Sequence, residues 1–214
     1  MKEIISSAGL LFFLLNPFLM VIYLLDLIED MTSTEFSLAL VKGTAISAAV
    51  FIVFAWVGDT IFTDVLHARF SAFLIFGGVV FLVIGIRFVF GGASVLRGLR
   101  GGSKESAAGS IAMPFMIGPG TVGAAILAGG NIDSKWFAAI SIVLALLCTV
   151  LSVLALKYLH DYVRARNEKM VERYIDVVGR ISALIIGTFS INMILSGLEL
   201  WFENSEVLKA LFAQ

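Results

Sequence analysis

The chain has 214 residues, of which 59% are hydrophobic and 14% are charged. Its mean hydropathy of +1.00 excludes an ordinary soluble domain and predicts an integral membrane protein. The single cysteine, Cys148, excludes an intramolecular disulfide, and the net charge of −1 says less about partners than the placement of the charges does.

Six apolar segments are long enough to cross a membrane, which takes roughly 17 to 25 residues. We expect helices, because an open strand would leave unpaired backbone groups in lipid. The first segment is followed by acidic residues instead of a small-residue cleavage site, so we expect it to be retained. In chain order the segments are Ile4–Leu25, Phe36–Gly58, Phe70–Phe90, Ala107–Ala128, Trp136–Leu156 and Ile175–Leu200. They predict an all-α polytopic membrane protein with one transmembrane domain over residues 1–214.

Helix-breaking residues interrupt the first and fourth segments. Asn16-Pro17 lies in the first segment, and Gly118-Pro119-Gly120, preceded by Pro114, lies in the fourth. Because proline removes a backbone donor, a break in hydrocarbon leaves polar groups that must face a cavity or another protein segment. At about 1.5 Å per residue, each break lies roughly 18 Å from the start of its segment. Both breaks are therefore predicted near the bilayer midplane, which is typical of transporters with discontinuous helices.

Basic residues are distributed unequally between the connections. Eleven of the 15 lie beside the first, third and fifth connections, and four lie on the opposite side. We expect the protein in the cytoplasmic (inner) membrane. By the positive-inside rule, these three connections are cytoplasmic and both termini lie outside the cytoplasm. The eleven are Lys42, Arg87, Arg97, Arg100, Lys104, Lys157, Arg164, Arg166, Lys169, Arg173 and Arg180, and the four are Lys2, Arg69, Lys135 and Lys209.

The sequence also contains a weak internal repeat. Residues 69–75 and 180–186 begin with Arg and continue with similar apolar strings at a spacing of 111 residues, and Pro17 and Pro119 lie 102 residues apart. Because a three-helix unit crosses the membrane an odd number of times, its second copy enters from the opposite face. We therefore predict two inverted three-helix repeats, one over about 1–92 and the other over about 105–205, with helices 1 and 4 broken.

The two breaks form the predicted substrate site. Since their segments run in opposite directions, they can meet in a shared central pocket. The half-helix after each proline offers amide groups and a positive dipole end to an anion, and the half-helix before it offers carbonyls to a cation. An amino acid would use both. The candidate substrate-binding residues are Asn16, Pro17, Gly118, Pro119, Gly120, Thr121 and Asn192.

These residues would have different roles in the pocket. The glycines allow close backbone approach, Asn16 and Thr121 offer side-chain hydrogen bonds, and the prolines hold the helices open. Two alternatives stay open. Asn192 could instead pin a neighbouring helix, and the breaks could be proline kinks with a structural role only.

Several kinds of chemistry have no signature in the sequence. No Asp or Glu lies in the central part of any segment, which disfavours a proton relay through a midplane carboxylate. Coupling to sodium through backbone carbonyls, uncoupled exchange and efflux stay open. Because the chain has no enzyme motif and no cluster of metal ligands, we expect neither an enzyme nor a cofactor. The expected partners are a small-molecule substrate and the lipid bilayer, without nucleic acid, and homo-oligomerisation stays open.

The breaks also resemble those of a known family. Asn16-Pro17, the run Ile111–Thr121 and the stretch Phe73–Gly85 with its Gly77-Gly78 pair are similar to the MarC family of bacterial and archaeal membrane proteins. The resemblance covers essentially the whole chain and implies six helices. The family includes SnatA, an archaeal transporter of small neutral amino acids, and is grouped with amino-acid exporters of the LysE type. The resemblance therefore implies amino-acid transport.

The first break departs from the common form of that family. There Asn-Pro is often followed by a small residue and a second proline, whereas the bulky Phe18, Leu19 and Met20 follow here. This difference bears on the substrate. The expected function is a secondary transporter or exporter of a small neutral amino acid or a similar zwitterionic metabolite, working by alternating access around the breaks. The alternatives are a passive channel and a non-transporting membrane scaffold.

Overall fold

The computed structural model describes residues 2–65, 67–91, 107–132, 134–164, 166 and 168–203. Every regular element within these ranges is helical, as predicted. The α-helices are α1 (Lys2–Leu15), α2 (Pro17–Tyr23), α3 (Leu25–Asp30), α4 (Ser33–Thr60), α5 (Phe70–Gly91), α6 (Ala107–Ser110), α7 (Pro119–Asn131), α8 (Lys135–Arg164) and α9 (Glu168–Glu203), with π-helical turns at Ile61–Val65 and Ile111–Met116. The basic residues Arg97, Arg100, Lys104 and Lys209 lie outside the described residues.

Five stretches of the described chain are long and apolar enough to cross a membrane. They match the first, second, third, fifth and sixth predicted segments. Their bounds are Lys2–Tyr23, Ser33–Gly58, Phe70–Gly91, Lys135–Arg164 and Val177–Glu203. The described chain therefore has the helices of a multi-pass membrane protein, and a sixth crossing is not among them.

The fourth predicted segment consists of shorter pieces. The four-residue α6 continues into the π-helical turn, which contains the non-helical Met113 (φ −124°, ψ 131°), and α7 begins only at Pro119. Pro114 follows Met113 directly and has no backbone N–H, so a regular helix loses a hydrogen bond there. A single long helix therefore does not form over this segment.

Helix α4 begins at Ser33 because Thr32 and Glu35 form a reciprocal cap. Glu35 N donates to Thr32 Oγ1 at 3.3 Å, and Thr32 N donates to Glu35 Oε2 at 2.9 Å. Both amides lie at the helix start, where no intrahelical carbonyl is available. The cap therefore fixes the turn between the first and second spans.

Helices α4 and α8 run antiparallel. At one end, Trp56 Nε1 donates to Lys135 O at 3.0 Å, and the Trp56 ring lies 5.6 Å from that of Trp136. At the other end, Lys157 Nζ donates to Ser33 Oγ at 3.0 Å. The start of α4 and the end of α8 therefore lie on the same side of the molecule, as the charge distribution predicts for the first and fifth connections.

The side chain of Lys157 is buried, although the sequence groups it with the basic residues of the fifth connection. It is 2% exposed and forms an ion pair with Asp161 one turn further along α8. Its Nζ atom also lies 5.8 Å from the centre of the Phe36 ring. A buried ammonium group needs such a partner, because an unpaired buried charge is strongly destabilising.

Helices α5 and α9, which we call the arm, pack closely along their length. A Cβ added to Gly78 would lie 2.7 Å from Ser190 O, and one added to Gly197 would lie 2.8 Å from Ser71 O. The start of α5 thus lies beside the end of α9, so the two helices are antiparallel. Glycine is required at both positions because each faces backbone of the other helix.

Residues 2–60, 107–132 and 134–164 form the bundle. The buried residues of the main apolar core, which include Leu24, Phe36 and Phe51, all come from the bundle. A smaller cluster joins the two parts: Leu19 and Ile22 of α2 pack with Phe88 and Ala183 of the arm. The molecule is therefore a bundle with its own core, and the arm packs against it through a smaller apolar cluster.

Candidate substrate site

A cavity of about 140 Å³ lies between the bundle and the arm. The bundle contributes residues of both breaks: Asn16, Gly118, Pro119 and Thr121 all line it. The arm contributes Val80, Phe81, Ile84, Ile185, Ile186, Phe189 and Met193. The structure thus brings together two motifs that lie about a hundred residues apart in the sequence.

The first break is built around Asn16. Helix α1 ends at Leu15, Asn16 adopts the left-handed conformation (φ 42°, ψ 81°), and α2 begins at Pro17. Asparagine tolerates this region better than most residues. Its Oδ1 atom accepts a hydrogen bond from Leu19 N at 3.2 Å and caps α2. Within the described chain the Asn16 side chain makes no other hydrogen bond, so its Nδ2 group remains available to a ligand.

Asn16 also lines two grooves on the outside of the cavity. One groove of about 240 Å³ lies against α9 and includes Phe18 and Ile185. The other, of about 470 Å³, lies against α8 and includes Pro17, Phe18 and Ser152. Pro17 therefore lies in an outer groove and not in the cavity, whereas Asn16 is shared by all three spaces.

The second break is held by Thr121. Its Oγ1 atom accepts a hydrogen bond from Gly118 N at 2.9 Å and lies 2.7 Å from Met116 O and 2.9 Å from Gly118 O. A hydroxyl group has a single proton, so it donates to these two carbonyls in alternation or shares its proton between them. Thr121 lines the cavity, but its hydroxyl group is engaged in holding the break.

The arm packs directly on the second break. A Cβ added to Gly118 would lie 2.8 Å from Phe81 Cζ. One added to Gly120 would lie 3.2 Å from Met193 Sδ and 3.3 Å from Phe81 Cε2. A Cβ at either position would thus displace side chains of the arm, which contact the backbone of the break.

The remaining predicted site residues lie at or beyond the edge of the cavity. Gly120 is buried behind the lining, and Asn192 is exposed on α9, outside the lining. The next residue, Met193, lines the cavity. Sequence reasoning missed Phe81 and Met193, because an apolar residue in a membrane helix gives no signal of whether it faces lipid or a site.

The chemistry of the lining suits a ligand without net charge. Its polar side chains are those of Asn16, Tyr23 and Thr121, and no charged side chain is among the described residues that line it. An ion without a counter-charge would be expensive to place there. A neutral or zwitterionic molecule could use the Asn16 amide and the backbone amide of Thr121 in the first turn of α7, which has no intrahelical carbonyl partner.

Comparison with known proteins identifies the relatives of the chain. The family model described as "MarC family integral membrane protein" matches residues 1–202. The UPF0056 membrane protein PH0214 of Pyrococcus horikoshii is 29% identical over 126 residues, which are 59% of this chain and 62% of that protein. A UPF0056 membrane protein of Buchnera aphidicola subsp. Schizaphis graminum is 24% identical over 215 residues, which cover 95% of this chain and 100% of that protein. No solved structure matches.

Proposed function

Because the chain belongs to the MarC family of integral membrane proteins, we propose that it is a secondary transporter or exporter of a small neutral amino acid or a similar zwitterionic metabolite. The shared cavity carries this proposal: Asn16 from one break and Gly118, Pro119 and Thr121 from the other line the same space. Discontinuous helices that meet in one cavity are typical of substrate sites in secondary transporters.

The size of the cavity supports a small substrate. Its volume of about 140 Å³ is close to that of an engineered cavity of about 150 Å³ that binds benzene. Alanine has as many non-hydrogen atoms as benzene. The Asn16 amide and the backbone amide of Thr121 would bind the carboxylate, and the carbonyl at the end of α1 would accept from the ammonium group.

The pairing of helices supports alternating access between two inverted repeats. Helix α1 packs against α7, α4 against α8, and α5 against α9. Each pair joins elements at equivalent places in the two proposed repeats. Helix α1 also packs against α8 and α4 against α7, and these two contacts change places when the repeats are exchanged, as a two-fold axis between the repeats predicts. We propose six crossings of the cytoplasmic membrane, both termini outside the cytoplasm, and breaks near the midplane. The arm then moves against the bundle around the cavity.

Transport by the purified protein in liposomes tests this proposal. We expect saturable exchange of labelled alanine for internal alanine, absent from empty liposomes. Ion currents without saturable exchange would instead show a channel. No exchange or uptake of any neutral amino acid would overturn the proposal and leave the scaffold alternative.

The driving ion is tested in the same liposomes. We propose sodium coupling, because the breaks offer backbone carbonyls to a small cation and the spans have no central carboxylate. An inward sodium gradient should accumulate alanine, whereas a matched potassium gradient should not. Equal uptake under both gradients would show uncoupled exchange.

A further inference from the structure

Two side chains of the arm contact both the cavity and the second break. Phe81 of α5 and Met193 of α9 line the cavity. Phe81 Cζ lies within 2.8 Å of the place a Cβ on Gly118 would take, and Met193 Sδ lies within 3.2 Å of the corresponding place on Gly120. Both side chains therefore lie against the backbone of the second break.

The bundle and the arm contribute different chemistry to the cavity. The polar side chains of the lining belong to the bundle, and every arm residue that lines the cavity is apolar. The ammonium and carboxylate groups are common to all neutral amino acids, so the breaks would bind them alike. The part that differs, the side chain, would then contact the arm.

Building on the proposed transport function, we propose that Phe81 and Met193 set the upper size limit of the transported side chain. In the wild-type cavity of about 140 Å³, an amino acid much larger than alanine has to push these residues against the break, and such overpacking is unfavourable. Shortening either residue makes room for added methylene groups. Each buried methylene is worth about 0.8 kcal/mol, which is about fourfold in affinity.

A homologous series of substrates tests this role. Exchange is measured in liposomes for glycine, alanine, 2-aminobutyrate, norvaline and norleucine. Wild-type protein should carry alanine best. Met193→Ala and Phe81→Leu each remove three non-hydrogen atoms, and each should raise the ratio of kcat/KM for norvaline to that for alanine by about 16-fold, fourfold for each of two methylenes.

Matched substitutions on the same two helices serve as controls. Phe76 on α5 and Leu195 on α9 are 66% and 53% exposed, so they face away from the cavity. Phe76→Leu and Leu195→Ala should leave the ratio unchanged. Elution as a single species and a thermal midpoint well above the assay temperature establish that a variant is folded, since a shortened buried side chain lowers the midpoint. If Met193→Ala fails this check, Met193→Val and Phe81→Leu provide the same measurement.

The possible outcomes separate the two proposals. A shift toward longer substrates in the cavity variants alone supports the size limit. Alanine exchange with the same preference in wild type and variants would overturn the size limit and leave the transport function intact. Absence of exchange and of equilibrium binding of labelled alanine in wild-type protein would overturn both.

Discussion

The two proline breaks meet at one cavity but are built in opposite ways. In the first, the polar residue precedes the proline, and Asn16 uses only its oxygen to cap α2. In the second, the polar residue follows the proline, and the hydroxyl group of Thr121 bonds the amide of Gly118 and the carbonyl of Met116. In each break one side chain forms hydrogen bonds with backbone groups, but only Asn16 retains a second polar group for a ligand.

This difference shows why similar breaks need not have similar roles. A primary amide has an acceptor and two donors on different atoms, so it can hold the backbone and bind a ligand at once. A hydroxyl group has a single proton, which at the second break is used for the carbonyls of Met116 and Gly118. In the proposed site, the first break therefore offers the ligand a side-chain group, whereas the second break offers it backbone groups.

Removing the side chain of Asn16 should have the largest effect. Asn16→Ala should lower kcat/KM for alanine exchange about 100-fold, because it removes a hydrogen bond to a charged ligand group. Asn16→Gly is the sharper test, since glycine keeps the left-handed backbone without strain. It should fold normally and lose transport to a similar extent. Transport by Asn16→Gly within threefold of wild type would show that Asn16 is only a structural residue.

Thr121→Val should lower the free energy of unfolding, and this loss of stability should be its main effect, not a change in substrate binding. It keeps the shape but leaves Gly118 N and the Met116 carbonyl without the Thr121 hydroxyl group, at a cost of about 3 kcal/mol. Thr121→Ser should cost less than about 1 kcal/mol and retain transport. The measurement is the free energy of unfolding in detergent, by denaturant titration. A stable Thr121→Val protein with a raised KM would mean that the hydroxyl group binds substrate.

A methyl group at Gly120 should have a moderate effect. Gly120→Ala places a Cβ 3.2 Å from Met193 Sδ, so the arm must shift slightly, and we expect kcat/KM to fall about fivefold. Gly130→Ala is the control on the same helix, because a Cβ there meets nothing within 4 Å. Equal transport by the two variants would show that the arm does not press on the break in the working protein.

Asn192→Ala should have the smallest effect. Its side chain is exposed on α9 and lies outside the cavity lining, so exchange should stay within about twofold of wild type. The same liposome assay measures it. A loss of more than tenfold would place Asn192 in the transport path and weaken the assignment of the site to the breaks.

Local features could be predicted from the sequence. Hydropathy predicted five spans that the structure contains, the MarC membership is confirmed, and the end of α1 at Leu15 follows from Pro17. Each depends on residues close together in the chain. Proline acts on its own turn, and a span is a continuous apolar run, so neither needs knowledge of tertiary packing.

Features that depend on packing between distant helices could not be predicted. Asn192 was a candidate because it is polar, but the rotation of α9 turns Met193 toward the cavity instead. One step along a helix turns the side chain by more than a quarter of a turn. The engagement of Thr121 likewise depends on the path of the loop, and the burial of Lys157 depends on where α4 begins.

The ion pair of Lys157 has a consequence for how the protein enters the membrane. Its charged partner, Asp161, lies four residues further along the same helix, so the two charges can neutralise each other as soon as α8 is helical. Ser33, the partner from another helix, is needed only later. Helix α8 can therefore leave the translocation machinery with this lysine already compensated, and its insertion does not have to wait for α4 to dock.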